Sequence, residues 1–339
     1  MRKIIIISTF YDKKSGISNF VKNLEIEFDK KNDVNLLIIS PDREGEIWPK
    51  SRLLITLKAW RIISKVEPTE IHCHCAWYLQ LPALLFSFTN KQNTKIFAFK
   101  HSDVDLKRRS GIYGTLHRYL DKSSTKVFFI SKYLKSRWAS NISNSYSSAL
   151  SVRTGVGDQS NRVDVEKDNS ITYVGLFEYS GKVRGLELLI DSFRQYINTT
   201  NDNETVLKII GRGKLRHRVE LKVKENDLTS RVVILDNVDD PSQFYIKSKL
   251  HCHITFQDAM PTTILESLSL GTQVLASDEC GIPEINAKGM HLTKNSVESV
   301  AEGIRMAIAY KGPVELSDQH CWTNVANEIL ELTAGSFNC

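Results

Sequence analysis

Short, continuous apolar runs separated by stretches of helical spacing constrain this chain more than any other feature, because the alternation occurs twice. Lys3–Ser8 is apolar throughout rather than at every second residue, the pattern of a strand buried on both faces. Val34–Ser40, Glu70–Cys75, Ile96–Lys100 and Lys126–Ile130 follow, with helical spacing over Asn19–Phe28, Leu53–Lys65 and Tyr113–Leu120. Asp158–Ser170 is polar, has no apolar period, and reads as a linker or a loop beside one. The alternation then restarts. Strands are predicted at Ser170–Leu176, Val206–Ile210, Val232–Leu235, His251–Phe256 and Gln273–Ala276, and helices at Leu186–Tyr196, Leu215–Glu225, Thr262–Leu270 and Val297–Ala309. Such alternation builds parallel sheets from βαβ units. The predicted fold class is therefore α/β: two doubly wound domains in tandem, which a length of 339 residues accommodates. Ligands in such sheets bind beyond the carboxyl ends of the strands, and two facing domains are expected to form a cleft there.

The formal net charge of +6 conceals an asymmetry. Residues 1–160 hold 26 Lys and Arg against 14 Asp and Glu, whereas residues 161–339 hold 19 against 25. A basic half beside an acidic half points to an anionic partner for the first half: phospholipid, lipid-linked phosphate, nucleic acid or acidic glycan. No nucleic-acid-binding module is visible, so nucleic acid is the least expected of these. Leu53–Lys65 sets Lys58, Arg61 and Lys65 beside Trp60. Together with Lys107, Arg108 and Arg109 this face either packs as an ordinary basic outer helix or seats the first domain on an anionic membrane. Ser8 and Thr9 cut the opening apolar run too short for a targeting core, and no run approaches the roughly 20 apolar residues of a membrane span. The six cysteines show no disulfide spacing and read as reduced thiols. The expected location is the cytoplasm, with peripheral contact at the inner face of the cytoplasmic membrane.

No metal site is expected. On a strand, His72 and His74 face one side while Cys73 and Cys75 face the other, so the four cannot wrap one tetrahedral ion. His251-Cys252-His253 falls under the same argument. Asp103-Val104-Asp105 spells a tripeptide of metal-dependent sugar transferases, but that tripeptide is common by chance.

The most informative stretch is Phe256–Ser277, FQDAMPTTILESLSLGTQVLAS. A strand ends near Phe256, Pro261 precedes a helix, Asp258 lies in the loop and Glu266 inside the helix. The unpaired N–H groups at the start of that helix, over Thr262–Ile264, form a site for phosphate. A carboxylate one turn in can accept hydrogen bonds from a ribose, and one in the loop can hold sugar hydroxyls. On spacing alone, an amphipathic helix with a turn aspartate and a solvated glutamate is the stronger reading.

This segment resembles the signature of glycosyltransferase family 4, a retaining family with the two-domain GT-B fold of Rossmann-like domains. The resemblance runs through Asp258-Ala259-Met260-Pro261, Leu265-Glu266-Ser267-Leu268, Gly271-Thr272-Gln273-Val274 and Gly281-Ile282-Pro283-Glu284. Upstream it includes Val174-Gly175, Arg184-Gly185-Leu186-Glu187-Leu188-Leu189-Ile190 and Ile210-Gly211-Arg212-Gly213-Lys214-Leu215. It extends to Ser15-Gly16-Ile17, His101-Ser102-Asp103 and Trp322-Thr323-Asn324-Val325-Ala326. There are departures. Asp258 stands where glutamate is usual, Ala259 where glycine is, and Leu176 where a basic residue is.

The resemblance implies a first domain over 1–160 on the acceptor side, a nucleotide-sugar domain over 161–318, and a closing helix over 319–339 that crosses back to the first. It implies a metal-independent, retaining transferase without a cofactor, taking sugar from a UDP- or GDP-sugar donor to a glycan or lipid-linked acceptor. Bacterial surface polysaccharide synthesis (lipopolysaccharide, O-antigen, capsule) would suit such an enzyme. The implied donor-binding residues are Gly16, Lys182, Arg184, Thr262, Thr263 and Glu266. The implied catalytic residues are His101 and Asp258. The departures leave open a catalytically degenerate sugar-nucleotide binder or partner subunit. An epimerase would need further acid/base groups in the first domain, and a phosphorylase a lysine-bound pyridoxal phosphate; neither is apparent.

Overall fold

The computed structural model describes residues 1–13, 15–74, 76–89, 94–102, 111–141, 143–146, 148–157, 165–236, 238 and 240–334. Cys75, Asp103, Asp105, Lys107, Arg108, Arg109 and most of the predicted linker lie outside them. The chain divides into two compact units: Met1–Gly155 with Trp322–Cys339, and Val156–Cys321.

The first unit alternates β1 (Arg2–Ser8), α1 (Gly16–Asp29), β2 (Val34–Ile39), α2 (Arg52–Val66), β3 (Glu70–His74), α3 (Trp77–Thr89), β4 (Lys95–Lys100), α4 (Gly111–Lys122), β5 (Lys126–Phe129), α5 (Lys132–Asn141) and β6 (Leu150–Ser151). The strands form one parallel sheet in the order β2-β1-β3-β4-β5-β6. Ile4, Ile5, Ile6 and Ile7 are each at most 1% exposed, which explains why the centre of β1 is continuously apolar rather than alternating. Ile5, Ile7, Ile71 and Cys73 pack with Ile55, Ala59 and Ile63 of α2 and Leu79, Ala83 and Phe86 of α3. The imidazoles of β3 join the aromatic side chains. His72 meets Phe28 and Phe97 edge-on, and His74 stacks on Phe99 with ring centres 4.2 Å apart.

The second unit runs β7 (Asp168–Val174), α6 (Ser180–Thr200), β8 (Val206–Ile210), α7 (Arg216–Glu225), β9 (Val232–Leu235), α8 (Ser242–Lys247), β10 (Ser248–His253), α9 (Thr262–Ser269), β11 (Val274–Ser277), β12 (Ala287–Lys288), β13 (Met290–Thr293), α10 (Val297–Ala309) and β14 (Glu315–Leu316). Its parallel sheet has the order β13-β11-β10-β7-β8-β9. Strand order therefore reverses between β7 and β10, the switch point at which the flanking crossovers leave on opposite faces and open a crevice. The core lies between this sheet and α6, α7 and α10, around Leu186, Leu189, Phe193, Val219, Val300 and Ile304.

The closing helix α11 (Trp322–Ala334) belongs to the first unit. Trp322 meets Phe20 of α1 edge-on, and a Cβ at Gly155 would sit 2.6 Å from the Trp322 ring. Arg2 fastens the other end. Its guanidinium donates from Nε and Nη2 to the two Glu70 oxygens, 2.7 and 2.6 Å, and also to Leu330 O and Thr333 Oγ1. Burial opposes the charge on Glu70, but hydrogen bonds from His72 and Arg2 outweigh it and draw the carboxyl down to about 2. Removing Arg2 would strand a carboxylate that is only 7% exposed. Arg2→Ala should cost about 3–5 kcal/mol. All five tryptophans, Trp48, Trp60, Trp77, Trp138 and Trp322, lie in the first unit, so urea unfolding followed by tryptophan fluorescence reports that loss. An unchanged midpoint would mean that packing alone holds α11.

Candidate active site

The switch point of the second unit gathers most of the residues singled out in the sequence. β7 and β10 are adjacent parallel strands, so α6 and α9, which follow them, both begin at the carboxyl edge of the sheet. Neither start is capped by a side chain: Tyr179 precedes α6 and Pro261 precedes α9, without a side-chain cap bond at either. Two sets of unpaired N–H groups therefore open at the same edge, each carrying the positive end of a helix dipole. The backbones come close together. Phe256 N–H donates to Gly181 O, 3.2 Å, and a Cβ on Gly185 would lie 2.1 Å from Ile254 O, so only glycine allows α6 to approach the loop after β10. Gly213, with φ of +155°, provides the equivalent freedom where the loop after β8 meets Phe177.

Asp258 lies in the loop between β10 and α9, its side chain 10% exposed. Its Oδ2 is 2.6 Å from Lys182 Nζ in the first turn of α6 and 3.3 Å from His253 Nε2 at the end of β10. Burial opposes ionisation, but Lys182 and His253 outweigh it and hold the carboxyl well below the usual carboxylate range. His253 is positioned in turn. Its Nδ1 is 3.3 Å from Thr263 Oγ1 in the first turn of α9, and its ring lies parallel to Tyr173 of β7. Asp258 O accepts from Gly281 N–H, 3.3 Å, tying the site loop to the Gly281-Ile282-Pro283-Glu284 turn.

Glu266 stands on the second turn of α9. Burial raises its pKa, while hydrogen bonds from Thr262 and from Tyr245 Oη, 3.3 Å from Oε2, act in the opposite direction. Arg184 is exposed, with its guanidinium carbon 4.0 Å from the centre of the Phe256 ring. That stacking keeps a flat cation at the mouth of the site with its N–H edge free for a planar or tetrahedral anion. The arrangement thus provides two cations, two uncapped helix starts and two carboxylates of different character within one edge of a sheet.

Residues 168–309 match the family model "Glycosyl transferases group 1". A glycosyltransferase of Methanocaldococcus jannaschii, itself uncharacterized, is 24% identical over 89% of this chain and 87% of its own. The structure of Anabaena HepE in complex with UDP has a TM-score of 0.75 at 12% identity, covering 98% of this chain and 100% of that one. The lipopolysaccharide outer core galactosyltransferase WaaB, in its apo form, gives 0.70 at 16% identity, covering 98% and 99%. The fold is that of the GT-B glycosyltransferases.

Within that fold, Lys182, Arg184, Thr262, Thr263, Asp258 and Glu266 meet at the switch point of the second unit. Gly16 and His101 belong to the first unit. Gly16 is the first residue of α1 rather than part of a preceding loop, because Ser15 caps the helix in a reciprocal bond with Ser18; a Cβ on Gly16 would meet nothing within 4 Å. His101 follows β4, with its Nε2 2.9 Å from His74 Nδ1 and its ring edge-on to Phe20. Burial, followed by the Lys100 charge, pushes its pKa down to about 3. Sequence reading overlooked His253, Tyr173 and Tyr245. The only signal for His253 was its position at the end of the strand before Asp258, and it was read as structural.

His72, His74 and His251 are at most 1% exposed, and burial lowers the pKa of all three, that of His251 to about 3. For such groups the unfolded chain binds protons first. Stability is therefore full above the unfolded value near 6.5 and falls as pH drops below it, by about 1.4 kcal/mol per pH unit for each histidine. The melting temperature should decline between pH 6.5 and 4.5, before the carboxylates titrate. A flat profile over that window would show that the imidazoles charge freely in the folded protein.

Proposed function

We propose that the chain is a retaining glycosyltransferase of family 4 type, moving a sugar from a nucleotide donor to a glycan or lipid-linked acceptor without a metal ion. The observation that carries this reading is the pair of uncapped helix starts at the switch point, with Lys182 and Arg184 beside them and Asp258 and Glu266 facing the same edge. Glu266 holds the ribose hydroxyls. The Thr262 and Thr263 amides, with Arg184 and Lys182, hold the diphosphate. Asp258, kept ionised by Lys182 and His253, accepts from the sugar hydroxyls.

The chemical problem is negative charge growing on the leaving diphosphate while the anomeric carbon becomes cationic. Fixed cations and helix N-termini stabilise that charge without reorganising during the reaction. The preference for same-face transfer rests on the family resemblance, in which the leaving phosphate assists deprotonation of the acceptor hydroxyl. A UDP-sugar is the first donor to consider, since HepE was crystallised with UDP and with UDP-glucose, and a GDP-sugar the next. The basic first half of the sequence favours an anionic or lipid-phosphate-linked acceptor, as in bacterial surface polysaccharide assembly, and WaaB is a lipopolysaccharide outer core galactosyltransferase. The family resemblance assigns His101 to the donor or acceptor and Gly16 to the diphosphate.

Thermal shift with UDP-, GDP- and ADP-sugars, with and without EDTA, tests the donor and the metal together, because a ligand of the folded state raises the melting temperature by mass action. One nucleotide sugar should produce a shift that EDTA leaves unchanged. Glu266→Ala should weaken nucleotide binding by roughly tenfold or more, the loss of a hydrogen bond to a charged group. Asp258→Asn should lower kcat while largely keeping nucleotide affinity. Donor binding without turnover under any acceptor would point instead to a sugar-nucleotide-binding partner subunit, a reading that Leu176, an exposed apolar residue where the family has a cation, also allows.

A further inference from the structure

Helices α2 and α3 of the first unit pack side by side and bury Ile55, Ala59, Ile63, Leu79, Ala83 and Phe86 against the sheet. Thr56 Oγ1 donates to Tyr78 O, 2.7 Å, fixing their relative level. Their outer faces are not the polar surface such helices usually present. Leu53 is 68% exposed, Leu54 51%, Leu57 42%, Leu85 41% and Phe88 70%, and Ile47, in the segment before α2, is 92% exposed. Leu53, Leu57, Arg61 and Lys65 recur every four residues along the outward stripe of α2, so leucines occupy its first half and cations its second. Phe88 and Leu85 lie three apart on the outward side of α3. Neither helix contains an aspartate or a glutamate, whereas α2 carries Arg52, Lys58, Arg61 and Lys65.

Lys58 has a different job from the one its sequence position suggested. It donates to Ile47 O, 2.6 Å, and lies 4.2 Å over the Trp48 ring, which pins the Ile47 segment alongside α2. The cation thus holds an apolar side chain outward instead of reaching for a headgroup itself.

We propose that the α2–α3 face is a membrane-docking surface that inserts Ile47, Leu53, Leu54, Leu57, Leu85 and Phe88 among the lipids of an anionic bilayer, with Arg52, Arg61 and Lys65 on its headgroups. A contiguous apolar patch on a monomer marks an interaction site. Charge selects the occupant: beside Ile47 the exposed Glu46 accepts from Trp48 Nε1, but the two helices carry Arg52, Lys58, Arg61 and Lys65 and no carboxylate, so the face as a whole is cationic, repels a second copy of itself and complements an anionic surface. Apolar side chains with flanking Lys and Arg are the composition of interfacial helices. This docking is independent of the donor site in the second unit.

Co-sedimentation of the full chain with phosphatidylglycerol/phosphatidylcholine vesicles, against pure phosphatidylcholine, tests the proposal. The protein should bind the anionic vesicles, and part of that binding should survive 0.5 M NaCl through the inserted side chains. Leu57→Asp with Phe88→Asp should abolish the salt-resistant part, and Arg61→Glu with Lys65→Glu should weaken binding at low salt by roughly tenfold or more. Both pairs lie on outward positions, so an unchanged melting temperature confirms that the variants are folded. Absence of binding to anionic vesicles, or binding unaffected by both pairs, would overturn the proposal. So would a dimer in light scattering that Leu57→Asp with Phe88→Asp dissociates, since the face would then belong to a second copy.

Discussion

The parallel sheet covered on both faces is the constraint on which everything else in each unit depends. A strand such as β1, with four consecutive isoleucines at most 1% exposed, can exist only if helices cover both sides. That requirement forces a crossover helix after nearly every strand, and every such helix begins at the carboxyl edge. In the second unit the order β13-β11-β10-β7-β8-β9 then makes two of those helices diverge from neighbouring strands. The pair of uncapped helix starts at one edge is therefore a by-product of burying apolar strands, before any particular side chain is considered.

On that frame the side chains resolve a conflict between charge and burial. A carboxylate as enclosed as Asp258 would normally pick up a proton, and Lys182 and His253 prevent it. Glu266, one helical turn into α9, meets the hydroxyls of Thr262 and Tyr245, and burial raises its pKa. Two carboxylates eight residues apart thus differ in protonation behaviour because one meets a cation from α6 and the other meets Tyr245. The same logic recurs in the first unit, where Arg2 keeps the buried Glu70 ionised and uses its remaining N–H groups to hold α11.

Both sheets and their order along the chain were legible in the sequence, since continuous apolar runs and helical spacing are local signals. Several elements escaped because their periodicity is weak or their span is short, β6, α8 and β13 among them. The α3 segment, Trp77–Thr89, is apolar on nearly all sides and contains Pro82; α5, Lys132–Asn141, buries only Leu134 and Trp138; β12 and β14 are two residues each. Asp258, Glu266 and the Thr262–Thr263 helix start stand out in the sequence by their place after a strand, and Arg184 by the family resemblance alone. His253 and Tyr245 do not, because a histidine or tyrosine inside an apolar run looks like any other core residue until its neighbours are known. The basic face of α2 was visible as charge. Its exposed leucines were not, since periodicity alone cannot say which apolar residues a neighbouring helix leaves uncovered.

What the sequence by itself determined was the alternation of elements, the placing of Asp258 in a loop and Glu266 on a helix, and the uneven distribution of charge along the chain. These follow from side-chain period, turn chemistry and composition, all of which act over a few residues. Only the tertiary structure decided which strands are neighbours, and therefore that the starts of α6 and α9 share one edge. It alone paired Lys182 with Asp258, which lie in different crossovers, and turned Lys58 back onto Trp48. Contacts between residues far apart in the chain are set by how complete elements pack, and packing is a property of the whole sheet that no local pattern encodes.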